Sequence, residues 1–483
     1  MLFSSLIFLY TFLPIVLLLY YFADKKYQNK LLLIASLVFF AWGGVSYTLI
    51  LISSLIINYI SGVLINKFDG KSTAKVILTI GIILNLATLG VFKYASFVVE
   101  NLNYLINLYS DYKIDDPGII LPLGISFYTF QAMSYIIDVY RKEAEVQKNF
   151  FKLALYISFF PQLIAGPIVR YQNIADQLTN RKKHLTNLSF GIQRFALGLG
   201  KKVLLANQFG LVADKAFSLP VMEINSSTAW IGVLAYTMQI YFDFSGYSDM
   251  AIGLGRMFGF NLPENFNFPY MAKSMREFWQ RWHITLSVWF KNYLYFPLGG
   301  SKKGKNRTII NLLIIFFATS IWHGASWNFV IWGMTHGVFM MLERLGLGKI
   351  IEKMWRPFQH IYAMLIIIVT RVFFKADTFD YAWGYFTELF TFNFNEIHFL
   401  LSSDVLNIKF LIVSIIGILS STHFWLFIEK KLNSRIRILN NELQYHIKII
   451  SNISISFIVA FSIILCTMML LNDSYNPFIY FRF

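Results

Sequence analysis

The apolar residues of this chain run in long blocks; they do not alternate, nor do they recur along one face of a helix. A bilayer-crossing helix needs about 20 mostly apolar residues. Blocks near that length lie at roughly 2–22, 31–65, 76–99, 118–139, 150–168 and 186–215, then 226–258, 308–322, 326–344, 359–375, 406–428 and 447–471. The pattern predicts an all-α polytopic membrane protein with about ten to twelve crossings. The block at 31–65 is long enough for a broken or double pass. Several other blocks contain Gly, Pro or charge, which predicts re-entrant or half-length helices. No repeat of fixed period is visible.

Composition agrees with this pattern. Hydrophobic residues make up 56% of the 483, and charged residues only 14%, against roughly 25% in soluble domains. The net charge is +16, which on a soluble protein would point to nucleic acid. Here the bases cluster in short loops: Lys25/Lys26/Lys30, Lys67/Lys71/Lys75, Arg181–Lys183, Lys302–Arg307, Lys349–Arg356 and Lys430–Arg437. That is the positive-inside pattern, so no nucleic-acid partner is expected. The acidic stretches at Asp111–Asp116 and Asp377–Asp404 read as outside, which places both termini on the extracytoplasmic face. The first block starts at Met1 with no basic flank and lacks a small-residue cleavage site, so it reads as a retained helix. Cys466 is the single cysteine, so neither a disulfide nor a cysteine metal site is expected.

Polar residues inside the membrane are costly, so their positions carry the chemistry. In Ile321-Trp322-His323-Gly324-Ala325-Ser326-Trp327, an imidazole stands between apolar runs. Neutral imidazole can take a proton from a hydroxyl, and Gly324 and Ala325 predict room beside the ring. The residues alone leave a histidine bonded to a helix carbonyl equally open. The segment from Arg276 to Gly300 interleaves bases and tryptophans with apolar residues, as an interfacial or re-entrant helix does. His283 within it fits a plain anchor less well, and tertiary folding could bring it to His323. Asp243 and Asp249 lie six positions apart in an apolar block. They suit a polar bracket between helices better than a proton relay. The tail Asn476–Phe483 reads as an aromatic belt anchor that is also short enough to fold back into a cavity, and it carries the Tyr480 hydroxyl.

Other chemistries lack their patterns. No His-Glu-x-x-His zinc motif occurs, and Gly198-Leu199-Gly200-Lys201-Lys202 fails the spacing of a phosphate loop. Ser248 is not in a nucleophile elbow. One helical turn before His336 stands Trp332, predicting packed rings rather than a metal pair. His184, His360, His398, His423 and His446 lie near segment ends and receive no role.

These segments resemble the bacterial membrane-bound O-acyltransferases, in particular the branch that O-acetylates alginate and peptidoglycan. The matching stretches are Leu121–Gln131, Phe160–Ile168, Phe242–Met250, Leu262–Asn267, Arg276–Gly300, Trp322–His336 and Pro477–Phe483. One departure is Lys291-Asn292, where the resemblance implies a base followed by Asp. The resemblance implies a single membrane domain over 1–483, with N-terminal helices at 1–115 and a catalytic core at 116–345. C-terminal helices at 346–471 and an extracytoplasmic aromatic tail at 472–483 complete it. The implied fold is a ring of tilted helices around a thinned centre, in a bacterial cytoplasmic membrane. His323 corresponds to the family's catalytic histidine, His283 to its polar partner, and Tyr480 to a tyrosine that carries the acyl group. The implied donor is a cytoplasmic thioester, acetyl-CoA, used as substrate, with no tightly bound cofactor and no metal. An SGNH-type esterase-like partner outside would deliver the acetyl group to a polysaccharide. The Ile-, Asn- and Lys-rich composition leans towards peptidoglycan or another wall polymer rather than alginate. The rival readings are a transporter of an acyl donor or envelope lipid using Asp243 and Asp249, and a scaffold for polysaccharide secretion. Transporters commonly show paired half-repeats, and the chain has none.

Overall fold

The structure, a computed structural model, describes residues 1–181, 184–394, 405–472 and 475–479. Every regular element among them is helical. The first apolar block is α1 (Phe8–Phe22). The long second block is α2 (Lys25–Ala41) and α3 (Val45–Lys67), separated by Trp42-Gly43-Gly44. The break expected there is present because Gly44 takes φ +143°, a conformation open to glycine alone. Next come α4 (Ser72–Ile106), α5 (Ile125–Tyr140), α6 (Phe150–Ser158), α7 (Leu185–Gly200) and α8 (Asn207–Phe217). A π-helical stretch, Lys201–Ala206, joins α7 to α8. Then follow α9 (Ser226–Met257), α10 (Met275–Arg281), α11 (Ile284–Phe290), α12 (Lys305–His323), α13 (Trp327–Leu342) and α14 (Arg356–Lys375). The chain closes with α15 (Phe379–Glu388), α16 (Ile408–Ser420), α17 (Phe424–Ile436) and α18 (Asn441–Asn472).

Among the described residues four helices, α3, α4, α14 and α18, are long and apolar enough to cross a bilayer. The pair α16–α17, bent by 64°, makes a fifth span if taken as one. The remaining apolar blocks are divided. Pro122 and Gly124 delay α5 to Ile125, the block at 186–215 carries the π stretch, and Arg276–Gly300 forms the short helices α10 and α11 and a π turn. Such broken helices survive at membrane depth only where protein covers them. That is their situation: α5 is buried at nearly every position, whereas α18 is buried over only 6% of its most apolar window. One continuous apolar core runs from Phe3 to Ile479.

The backbones of α7 and α9 come into direct contact. A Cβ on Gly198 would stand 2.4 Å from the carbonyl of Gly246, and one on Gly191 would stand 2.6 Å from that of Gly253. The two pairs recur seven residues apart on both helices, running antiparallel. Without a hydrophobic force between helices in lipid, small residues that admit backbone contact drive the association. The segment that fails as a phosphate loop is therefore a helix-packing surface.

Candidate active site: two buried histidines and a docked tail

His323 is the last residue of α12 and is 3% exposed. A helix end leaves carbonyls without intrahelical partners, and α4 supplies them here. Tyr94 donates its hydroxyl to the Ile321 carbonyl at 2.8 Å, and the Lys93 ammonium donates to the Trp322 carbonyl and to Ser126 Oγ. A cation at a helix C-terminus also offsets the macrodipole. The turn that carries His323 is thus pinned from outside.

Aromatic rings enclose the imidazole. Trp322 lies 5.0 Å away, Trp332 5.0 Å edge-on and Phe374 5.5 Å. The room expected beside Gly324 is taken by a ring, which is a correction. A Cβ there would come within 2.1 Å of Phe329, so the glycine is needed for packing against α13 rather than for substrate entry. Trp332 and His336 do pack, with centroids 5.1 Å apart, and His336 Nε2 meets Thr370 Oγ1 at 2.9 Å.

Folding brings His283 to the same place. Its ring lies 5.9 Å from Trp322 and 4.7 Å from Phe244, and it is fully buried. His283 has φ +44°, uncommon for a residue with a side chain and the kind of backbone strain that gathers at functional sites. Asn265 fixes the ring. Its Oδ1 accepts from the Thr285 hydroxyl at 2.9 Å and from the Thr285 amide at 3.3 Å, and lies 3.1 Å from His283 Nδ1. The Thr285 amide can only donate, so the shared atom is the carbonyl oxygen and His283 Nδ1 must carry a proton. In a neutral ring Nε2 is then the acceptor. That atom is buried and has no hydrogen-bond partner among the described residues.

Two further cations belong to this centre. Lys93 lies 5.7 Å over the Trp322 ring, and Arg371 shares the Phe374 ring with His323. Arg371, 1% exposed, lies 4.6 Å over the Trp282 ring and 5.4 Å from that of Phe374, and no carboxylate pairs with it among the described residues. Lys93 and Arg371 lie in no matching stretch, and Asn265 lies in Leu262–Asn267 with no role assigned to it by the resemblance. Only the cost of an ionisable group inside an apolar block marks Lys93 and Arg371 in the sequence.

The two carboxylates of α9 are separately paired. Asp249 binds Lys201 at 2.6 Å and Arg194 at 2.7 Å, and Asp243 binds Lys202 at 2.7 Å. Each ties α9 to α7 or to the π stretch, forming the expected bracket. At Asn292, where the chain departs from the base-then-Asp pattern, Arg141 donates to the backbone carbonyl at 3.1 Å. The tail does fold inward. Phe478 stacks 4.7 Å from Tyr247, and the Ile479 amide donates to Asp243 at 2.9 Å. Tyr480 lies outside the described residues.

A cleft of about 1080 Å³ opens between the α10–α11 segment, α12 and α13. Lys273, Arg276, Lys291, Lys305, Arg344 and Lys349 line it, against Glu277, Glu343 and Glu352. Glu277 is bound to Arg281, and Glu343 accepts the amides that open α10, so the free charge is positive. Its inner wall includes Trp279, whose ring is 6.0 Å from Trp332. One ring therefore separates the cleft wall from His323. No cluster of three or more metal-ligating side chains occurs among the described residues.

Broken helices buried around a polar, histidine-bearing centre define a multi-pass membrane protein built for chemistry at bilayer depth. Residues 141–374 match the MBOAT family, membrane-bound O-acyltransferase. Over 393 residues the chain is 42% identical to the probable alginate O-acetylase AlgI of Azotobacter vinelandii, covering 81% of this chain and 78% of the relative. It is 36% identical over 418 residues to the peptidoglycan O-acetyltransferase of Helicobacter pylori, covering 79% and 78%. With the teichoic acid D-alanyltransferase of Bacillus subtilis it shares 29% identity over 259 residues, covering 51% and 65%. The chain belongs to the membrane-bound O-acyltransferase family and is an O-acyltransferase.

Proposed function

We propose that this enzyme moves an acetyl group from a cytoplasmic thioester, acetyl-CoA, to the hydroxyl of its own Tyr480, for O-acetylation of a cell-envelope or exported polysaccharide. The observation that carries this reading is the convergence of three parts. His323 and His283 flank Trp322, and Ile479, the residue before Tyr480, donates its amide to Asp243, the residue before Phe244, whose ring touches His283. The cleft supports the donor side, because its excess of cations suits the phosphates of a nucleotide thioester.

In this mechanism His323 removes the Tyr480 proton as the phenolic oxygen attacks the thioester carbonyl. The C–O bond forms, the C–S bond breaks, and the proton passes to the departing thiolate. His283, with its Nε2 lone pair facing inward, orients the acceptor hydroxyl. Arg371 offsets the negative charge that develops on the carbonyl oxygen, a role worth about 10²–10³-fold in comparable sites. General-base assistance adds about 10²–10⁴-fold. The whole of 1–483 acts as one membrane domain with both termini extracytoplasmic, and an SGNH-type partner takes the acetyl group from Tyr480 to the glycan. Composition leans towards peptidoglycan or another wall polymer as that glycan, and the relatives include enzymes named for alginate and for peptidoglycan. A relay through Asp243 and Asp249, as the transporter reading needs, is poorly served by carboxylates already held by lysines.

His323→Ala tests the chemistry: polysaccharide acetylation should vanish while the protein still folds, and wild-type acetylation would overturn the assignment. Labelled acetyl-CoA given to proteoliposomes separates the classes, because an enzyme leaves label on protein or acceptor whereas a carrier moves intact donor.

A further inference from the structure

Two buried charges hold the backbone of the tail. Lys202 and Asp243 are 2% and 1% exposed and form an ion pair at 2.7 Å. Burying such a pair costs several kcal/mol per ion unless further hydrogen bonds satisfy both groups. Here the tail provides them. The Lys202 ammonium donates to the Pro477 carbonyl, and Asp243 Oδ2 accepts from the Ile479 amide at 2.9 Å. These peptide groups flank Phe478, whose ring packs on Tyr247, the residue after Gly246, where α9 touches α7 at Gly198. Upstream, Asn207 donates to the Tyr475 carbonyl at 3.3 Å, and Asn476 donates to Ser4 Oγ at 3.1 Å. Tyr475 donates its hydroxyl to Asp214, which also pairs with Lys375.

We propose that the Lys202–Asp243 pair is a latch that reads the polarity of the tail backbone, ammonium to carbonyl and carboxylate to amide, and so sets where residue 480 stands. Both are positioning residues, acting on the acceptor through the chain that bears it. The proposal rests on the reading of Tyr480 for its purpose but not for its test.

Hydrogen–deuterium exchange on the full chain in nanodiscs reads the latch directly. In the wild type the Ile479 amide, accepted by Asp243, should be protected. The exchanged pair Lys202→Asp/Asp243→Lys keeps an ion pair but presents the wrong charge to each peptide group, so tail exchange should rise about ten- to a hundredfold, the scale of losing hydrogen bonds to charged groups. A second variant, Lys202→Met/Asp243→Leu, removes both charges together, leaves none unpaired, and should release the tail while the α7 and α9 amides stay protected. Tail protection that survives in either folded variant overturns the latch. So does loss of protection in α9 together with the tail, which would make the pair a helix bracket only. Tyr480→Phe separates the two claims. If it keeps tail protection and loses acetylation, both stand; if acetylation persists, the carrier reading falls and the latch is judged by exchange alone.

Discussion

At the scale of single residues, the centre depends on atoms whose proton state is fixed by neighbours. Thr285 forces the Asn265 oxygen towards His283, and Asn265 forces the His283 proton onto Nδ1. Asn265→Leu should therefore leave His283 in place but free to rotate, lowering kcat about 10²-fold, the cost of a misplaced catalytic group. Steady-state kinetics with acetyl-CoA checks this, and an unchanged kcat would remove His283 from the mechanism. Arg371 gives the opposite contrast between stability and rate. A buried cation with no carboxylate partner is a burden on folding, so Arg371→Met should keep or raise the melting temperature while turnover falls about 10²–10³-fold. A variant that loses stability and activity together would assign Arg371 to structure.

Among the elements, the α7–α9 contact governs what the polar groups can reach. Lys201 and Lys202 meet Asp249 and Asp243 because Gly198 and Gly246 allow the two backbones to touch. Gly246→Val places methyl groups against the Gly198 carbonyl, which cannot move aside as a flexible side chain would. Overpacking of this kind costs about 1–3 kcal/mol, and thermal unfolding in detergent should show it as a lowered melting temperature. The elements were legible to different degrees for physical reasons. Long apolar blocks identified α3, α4, α14 and α18, since length and composition alone define a span. The break at Gly44 was legible in the length of the block at 31–65, too long for one crossing. The π stretch at Lys201–Ala206 was not, because one extra residue in a turn leaves no composition signal. His323 and His283 stood out as ionisable groups in apolar surroundings. Asn265 did not, since its role exists only once Thr285 and His283 have folded around it. The role proposed for Tyr480 rests on the family resemblance, and the residue lies outside the described ones.

For the whole molecule, the parts form a line from a cationic cleft, past Trp279 and Trp332, to His323 and on to the docked tail. The cleft should bind donor by its charge. Lys305→Glu/Lys349→Glu, at exposed positions on its lining, should raise KM for acetyl-CoA about tenfold with kcat little changed, and the wild-type KM should rise with salt as screening grows. A KM insensitive to both would place the donor elsewhere.

The central claim is that His323 charges the chain's own tyrosine. Purified protein in nanodiscs, incubated with isotopically labelled acetyl-CoA and mapped by mass spectrometry, tests it most directly. Label should appear on Tyr480 in the wild type and be absent from that residue in His323→Ala. Label on Tyr480 in the His323→Ala protein, or full polysaccharide acetylation by Tyr480→Phe, would contradict it.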